Sequence, residues 1–369
     1  MEPGINLIGY ARTESGLGES CRLAANAITT TNVPFGIIDY QKNPSRKNDF
    51  SWLHKEIKKP IYQTNIFHIN AYELFMGYKS RKLPQQYFRN HYNIGFWHWE
   101  LPEFPDEWNS SFQLVDEIWV PSSFIYESIS KKSPVPVLRM PHGIKVNISN
   151  SFNRESWGLP HNQFLFLCMF DTLSFQERKN PQAVIEAFKS AFSGESSPVG
   201  LVIKVNSSCY VSNELNDLKM RINGFSNIYL IDTVLTRDEV NCLINSIDCY
   251  ISLHRSEGFG LPLAEAMYLG KPVIATNWSG NIDFMNSTNS CPVNYRLINI
   301  GDDYGPYKAY QKWAEPDVEH AANYMKKIVK DEEWRKKLSS MGKESIRFHF
   351  SPGKIGNMYK KRLQYLGLL

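Results

Sequence analysis

The chain has 369 residues, 42% of them hydrophobic and 21% charged, the composition of an ordinary globular protein with room for two domains of ~100–200 residues each. Its 41 basic and 37 acidic residues leave a net charge of +4, too balanced for a nucleic-acid-binding protein. Nine Trp and nineteen Tyr suit surfaces that stack on sugar rings, and suit core packing equally well.

Short apolar runs alternate with helical patterns along the whole chain, the mark of parallel α/β sheets. In the first half, strands are predicted at Ile5–Gly9, Phe35–Asp39, Ile66–Ile69, Asn93–Trp97, Glu117–Val120 and Pro136–Arg139, with helices at Gly18–Thr30, Asp106–Val115 and Phe124–Lys131. The first strand runs into a loop with Gly16 and Gly18 and then a helix, which superficially resembles a dinucleotide fingerprint. Cys21 stands where the third glycine of that fingerprint would be, and no ribose-binding acid follows the second strand, so a nicotinamide cofactor is not expected. The fourth strand ends in Gly-Phe-Trp-His-Trp-Glu, with His98 and Glu100 just past it, and His68 and Asn70 close the third strand in the same way.

A stretch rich in Pro, Gly, Asn and Ser at Pro141–Pro160 has the composition of a linker. Beyond it, strands are predicted at Phe164–Phe170, Val199–Val205, Ile228–Ile231, Cys249–Leu253 and Pro272–Ala275. Helices are predicted near Pro181–Ala191, Asn213–Ile222, Arg237–Asn245, Pro262–Leu269, Asp317–Val329, Asp331–Phe348 and Ile355–Tyr365. Two doubly wound halves would place a ligand cleft at the carboxyl ends of their strands.

The most informative segment is Ser-Glu-Gly-Phe-Gly-Leu-Pro-Leu-Ala-Glu, from Ser256 to Glu265. Gly258 and Gly260 permit close approach of backbone to a ligand, and Pro262 suits the first position of a helix. The first N–H groups of that helix have no internal partners and form an anion site. Glu257 lies before the turn and Glu265 about one turn into the helix. An anion cradle flanked by two acceptor groups fits a ligand with both phosphates and hydroxyls, such as a sugar nucleotide. Taken singly, either acid fits the helix dipole as well.

The Glu-x7-Glu pattern with its internal Gly-Phe-Gly-Leu-Pro resembles the signature of retaining glycosyltransferases of the GT-B fold, above all glycosyltransferase family 4. That resemblance implies two Rossmann-like domains facing a central cleft, at 1–145 for the acceptor and 146–350 for the nucleotide sugar, with a helix in 351–369 crossing back to the first domain. It implies that Glu265 holds the donor ribose, that Glu257 lies near the transferred sugar, and that Phe259, Gly260 and Leu261 offer N–H groups to the diphosphate. By the same resemblance, Arg178 and Lys179 grip the donor phosphates. The family usually separates its Arg from a Lys-Gly pair, whereas here the cations are adjacent and Asn180 replaces the glycine. Lys204 is a second basic candidate.

Charge balance supports cations at such a site, because a helix N-terminus supplies only about half a charge against a diphosphate beside two glutamates. Arg255, two residues before Glu257, is placed either to pair with it or to meet a ligand. The Ser279-Gly280 and Asp283 segment is a looser match to the family's donor-site glycine loop, with Asn281 and Asp283 as donor contacts. In the GT-B reading the Gly16–Gly18 loop faces the donor, His98 lies near the transferred sugar with Glu100 as alternative, and His68 and Asn70 are acceptor-side candidates. His142 and Gly143 resemble the hinge of the family and read as structural.

The expected activity is transfer of a hexose, with retention and without a metal, from a GDP- or UDP-sugar to a glycan or lipid-linked saccharide in surface polysaccharide synthesis. Mannosyl or rhamnosyl transfer rests on the resemblance only. The rivals are a GT-B sugar-nucleotide epimerase and a non-catalytic sugar-nucleotide or glycan-binding subunit.

Six cysteines without a Cys-x-x-Cys pair read as free thiols, several of them buried, in a reducing compartment. No signal peptide is expected, and Phe164–Phe170 is too short an apolar run to span a bilayer. The expected location is therefore cytoplasmic. The basic stretches Lys55–Lys59, Lys79–Lys82 and Lys360–Arg362 are compatible with peripheral contact at the inner face of the plasma membrane.

Overall fold

Strands buried on both faces read as nearly unbroken apolar runs, and such runs supply both main sheets. The computed structural model describes residues 1–40, 49–192, 198–206 and 212–369. The first six strands are β1 (Glu2–Gly9), β2 (Phe35–Asp39), β3 (Tyr62–His68), β4 (Tyr92–Phe96), β5 (Glu117–Val120) and β6 (Val137–Arg139). Helices α1 (Gly16–Thr29), α2 (Ala71–Lys79) and α3 (Ser123–Ser130) lie among them. The second half contributes β7 (Phe164–Asp171), α4 (Gln176–Lys179), α5 (Pro181–Phe192), β8 (Val199–Asn206), α6 (Ser212–Ile222), β9 (Ile228–Ile231) and α7 (Arg237–Ser246). It continues with β10 (Cys249–Ser252), α8 (Leu261–Tyr268), β11 (Val273–Thr276), β12 (Cys291–Val293), β13 (Tyr295–Asn299) and β14 (Lys312–Pro316). Three helices close the chain: α9 (Val318–Lys330), α10 (Glu332–His349) and α11 (Pro352–Tyr365).

The chain divides into two compact units, 1–145 with 349–369, and 146–348. In the first, six parallel strands run in the order β2-β1-β3-β4-β5-β6. Its core joins Leu7, Ile37, Ile66 and Ile94 of the sheet to Cys21, Ala24 and Ile28 of α1 and to Ile355, Tyr359 and Leu363 of α11. Gly356 is required there, since a Cβ at that position would stand 2.1 Å from the Ala27 carbonyl oxygen. A buried ladder of asparagines ties the strands together. The Asn6 amide donates to Asn65 at 2.9 Å and the Asn65 amide to Asn93 at 2.8 Å, at matched register positions of β1, β3 and β4.

The second unit carries a parallel sheet ordered β12-β11-β10-β7-β8-β9. The chain winds outward from β7 to β9, then returns to build β10 to β12 on the other side. The switch point therefore falls between β7 and β10, whose carboxyl ends are where open sheets of this kind place a ligand. The core packs Phe166, Leu201, Ile203 and Ile251 against Val184 and Phe188 of α5 and Met325 and Ile328 of α9.

Several expectations need correction. Asp106–Leu114 is a run of 3-10 turns, not an α-helix. Its Asn109, Ser110 and Ser111 are poor helix interiors, and the Ser111 hydroxyl bonds the Ala71 carbonyl at 2.7 Å. Helix α8 opens at Leu261, so Pro262 is its second residue. Helix α2, strand β12 and the antiparallel β13–β14 hairpin are elements the periodicity missed. Among the described residues, no helix is long and apolar enough to cross a membrane.

Candidate active site

Adjacency of β7 and β10 brings Arg178 and Lys179 to Glu257. The Phe175 backbone, at φ +60°, turns the chain out of β7 and into the short helix α4. Asn180 then ends α4 in the left-handed region, at φ +52°. The Lys179 ammonium bonds Glu257 Oε1, and Arg178 Nη1 lies 3.5 Å from Glu257 Oε2. Arg178 is also anchored to the Ser256 carbonyl at 2.8 Å and is 3% exposed. Burial alone would raise the pKa of Glu257, but Lys179, Arg178 and the nearby His254 outweigh it and hold the carboxyl down to about 2.

The loop after β11 closes on this group. The Glu257 N–H donates to Ser279 Oγ at 2.8 Å, and the Gly280 N–H to the Glu257 carbonyl at 2.9 Å. A Cβ on Gly280 would stand 2.0 Å from the Gly258 carbonyl oxygen, so the two loops interlock only through a glycine. Ser279 holds φ +77° and ψ −148°, a conformation that glycine adopts readily and serine does not. Asn281 is enclosed by internal bonds: its amide donates to the Thr276 carbonyl at 2.9 Å, and its oxygen lies 3.1 Å from His254 Nε2. That position fits a buried brace, while Asp283 is half-buried.

Gly260 caps α8 in the left-handed region, at φ +90°. Phe259 is buried against Phe284, with ring centroids 5.2 Å apart. Four residues beyond Leu261, Glu265 is 2% exposed and accepts from Arg237 at 2.6 Å. Arg237 opens α7, and sequence reading gave no sign of it because the pairing spans two separate helices. Lys204 is buried in β8, in register with Met169 and Ile231. Arg255 does not pair with Glu257: its side chain points to Glu315, 2.6 Å away.

The first unit holds the remaining candidates. Gly18 is buried, and its N–H donates to Ser15 Oγ at 3.2 Å. A Cβ there would meet the Thr13 carbonyl oxygen at 2.0 Å, which explains the glycine by packing. Gly16 is exposed in open space. Arg22, 4% exposed, reaches Glu19 at 2.9 Å, Asp49 at 3.2 Å and two loop carbonyls, and so fixes the turn before α1.

His68, His98 and His142 form one cluster around Ser20. Ser20 Oγ lies 3.2 Å from His68 Nδ1 and 3.5 Å from His98 Nε2, and His98 Nε2 lies 3.3 Å from His142 Nε2. His68 stacks on Phe96 with centroids 4.3 Å apart. Burial holds His98 down to about 4 and keeps His68 and His142 neutral as well. The Asn70 side-chain oxygen accepts from the His98 N–H at 2.9 Å, and Glu100 is half-buried beside this group in sequence. His142 thus belongs to the cluster, while Gly143 packs its Cα side against Pro352. Among the described residues, no three His, Cys, Asp or Glu side chains are arranged to hold a metal ion.

Residues 149–290, which include Arg178, Lys179, Lys204, Glu257 and Glu265, match the family model described as glycosyl transferases group 1. No curated protein matches the chain significantly. Among solved structures, a sucrose-phosphate synthase from Thermosynechococcus elongatus is similar with a TM-score of 0.70 at 14% identity, covering 99% of each chain. HepE from Anabaena, in complex with UDP-glucose, is similar with a TM-score of 0.66 at 12% identity, over 98% of this chain and 99% of its own. A glycosyltransferase from Rickettsia africae gives 0.65 at 14% identity, over 99% of both chains. The fold is that of GT-B glycosyltransferases.

Proposed function

We propose that the protein is a retaining glycosyltransferase that moves a hexose from a nucleoside-diphosphate sugar to a glycan or lipid-linked saccharide, without a catalytic metal. The observation that carries this reading is the Arg178–Lys179–Glu257 cluster beside the first turn of α8, at the switch point of the second sheet. Two cations and the amides of Phe259, Gly260 and Leu261 supply positive potential where a diphosphate would leave. The family match across 149–290 and the likeness to HepE, solved with UDP-glucose, support a nucleotide-sugar donor and favour UDP.

In this reading Lys179 exchanges Glu257 for a phosphate oxygen when the donor binds, and Glu257 is released toward the sugar. Glu265, held by Arg237, accepts from the ribose hydroxyls, and Lys204 adds positive charge from β8. The bond from the anomeric carbon to the diphosphate breaks as the acceptor oxygen attacks from the same face, and a diphosphate oxygen takes the acceptor's proton. Charge builds on the leaving group in that step, which is why the cations matter most there. From the first unit we assign His98, with Glu100 as alternative, to the transferred sugar and Gly16 to the donor. His68 and Asn70 support His98 through Ser20 and a backbone bond. A lipid-carried acceptor in surface polysaccharide assembly would suit the basic stretches 55–59 and 79–82. Arg362 takes no part in such contact, because it is paired with Glu117.

Incubation with UDP- and GDP-sugars and a panel of saccharide acceptors tests the proposal through released nucleotide and extended glycan. Acceptor-dependent release that survives a chelator is the expected result. Release that never needs an acceptor would favour epimerisation or hydrolysis, and binding without turnover would favour a non-catalytic subunit. Loss of activity with chelator, restored by Mg²⁺ or Mn²⁺, would refute metal independence. Glu265→Gln should weaken nucleotide binding about tenfold or more, the scale of one hydrogen bond to a charged acceptor, read by calorimetry with UDP.

A further inference from the structure

Arg255, in the loop after β10, joins α4 to β14 within the second unit. Its Nε donates to Glu315 of β14 at 2.6 Å, and its Nη1 to the Glu177 carbonyl in α4 at 2.9 Å. Its guanidinium lies over Trp313 of β14, 5.3 Å from the ring centroid. Its own N–H donates to the Arg178 carbonyl at 2.8 Å, and its carbonyl accepts from the Ala314 N–H at 3.0 Å. A second contact comes from the connection between β13 and β14. Tyr307, 4% exposed, stands 5.9 Å from the Arg178 guanidinium and meets Phe175 edge-on at 5.4 Å. Gly305 closes the contact, since a Cβ there would stand 2.4 Å from the Phe175 ring.

The turn so held is the one that cannot hold itself. Helix α4 has four residues, and it is bounded by non-glycine residues with positive φ at both ends. A helix that short is unstable alone, because one turn does not offset the cost of nucleation. We propose that Arg255 is a positioning residue for the donor diphosphate: the β13–β14 hairpin, through Glu315, uses it to lock α4 so that Arg178 and Lys179 keep their places. The proposal rests on the donor-site reading given above. It predicts that damage to the brace is felt by the β-phosphate, where the leaving group gathers charge, and not by the nucleoside and its α-phosphate.

Arg fits this task because its planar head group bonds two partners in different directions at once. Arg255→Met keeps the apolar stem and removes both head-group bonds. It should lower kcat/KM about tenfold or more, since small misplacements of charge-stabilising groups cost that much. Affinity for UDP should fall while affinity for UMP stays the same, so the preference for UDP over UMP shrinks about tenfold. Arg255→Lys, able to reach one partner but not both, should restore part of that preference. Glu315→Gln should shift it in the same direction by less, and the double variant Arg255→Met/Glu315→Gln should be no worse than Arg255→Met alone.

Calorimetry with UDP and UMP, alongside initial rates, decides the matter. Equal weakening of both nucleotides, or an unchanged preference in folded Arg255→Met and Glu315→Gln, overturns the bracing role. If Arg255→Met does not fold, Glu315→Gln carries the test by the same readout. A wild-type protein that binds neither UDP nor GDP overturns the donor-site reading itself, and the brace with it.

Discussion

Lys179→Ala is expected to cut turnover by ~10²–10³-fold, the effect seen when one group that stabilises developing negative charge is removed. Its ammonium is the more accessible of the two cations, 18% exposed against 4% for the Arg178 side chain, and it is bound to one oxygen of a carboxylate. A diphosphate carries more charge than that carboxylate and can take the ammonium over, whereas Arg178 is tied to the Ser256 carbonyl. The loss should therefore appear mainly in kcat, with a smaller rise in KM. Lys179→Arg should recover part of the rate. Initial rates of nucleotide release at saturating acceptor check this, and a change within threefold would remove Lys179 from the proposed role.

The largest expected effect on stability lies at Glu257. Its carboxyl titrates at about 2 in the folded protein, against an ordinary 4.5. A depressed carboxyl pKa contributes stability that is fully present above the unfolded value and lost as pH falls through the folded one. The window is thus between pH 4.5 and about 2. The contribution is on the order of 3 kcal/mol at ~1.4 kcal/mol per pKa unit. Glu257→Gln should be less stable than wild type by about that amount at neutral pH, with the gap narrowing below pH 4.5. Hydrogen exchange of the β7 and β10 amides at a series of pH values measures the gap within the second unit alone. A constant gap down to pH 3 would mean that the Lys179 and Arg178 pairing adds nothing.

Most strands and their order of appearance were legible, because parallel strands buried on two faces announce themselves as apolar runs. Ile228–Ile231 and Glu117–Val120 fall on the predicted residues. What escaped had physical reasons. β13 faces outward along most of its length and lacks an apolar face to read, and α2 is nine residues with Gly77 inside. The two glutamates and the Arg178–Lys179 pair stood out in the sequence, but their pairing with each other did not. Lys179 meets Glu257 only because β7 and β10 are neighbours in space, 78 residues apart in the chain. Arg237 and Glu315 are likewise distant in the chain from Glu265 and Arg255, the residues they hold. The packing that demands a glycine at position 18 was equally hidden, because it comes from the Thr13 carbonyl folding back over α1. The histidine cluster joins the ends of three different parallel strands, a convergence no local pattern contains.

All five cysteines in the described residues are free and buried: Cys21, Cys168, Cys242, Cys249 and Cys291; Cys209 lies outside the described residues. Burial pushes the thiols of Cys21 and Cys168 up to about 12 and raises those of Cys249 and Cys291 too. At pH 8 such sulfurs are neither ionised nor within reach of an alkylating reagent. The chain therefore carries its own gauges of local opening. Cys21 sits in the core that α1 shares with α11, and Cys168, Cys249 and Cys291 sit in the core of the second sheet. In pulse alkylation read by peptide mass, these four should stay unmodified in the native protein. Their labelling rates along a denaturant series should then time the melting of the two units separately, without a mutation or an added dye.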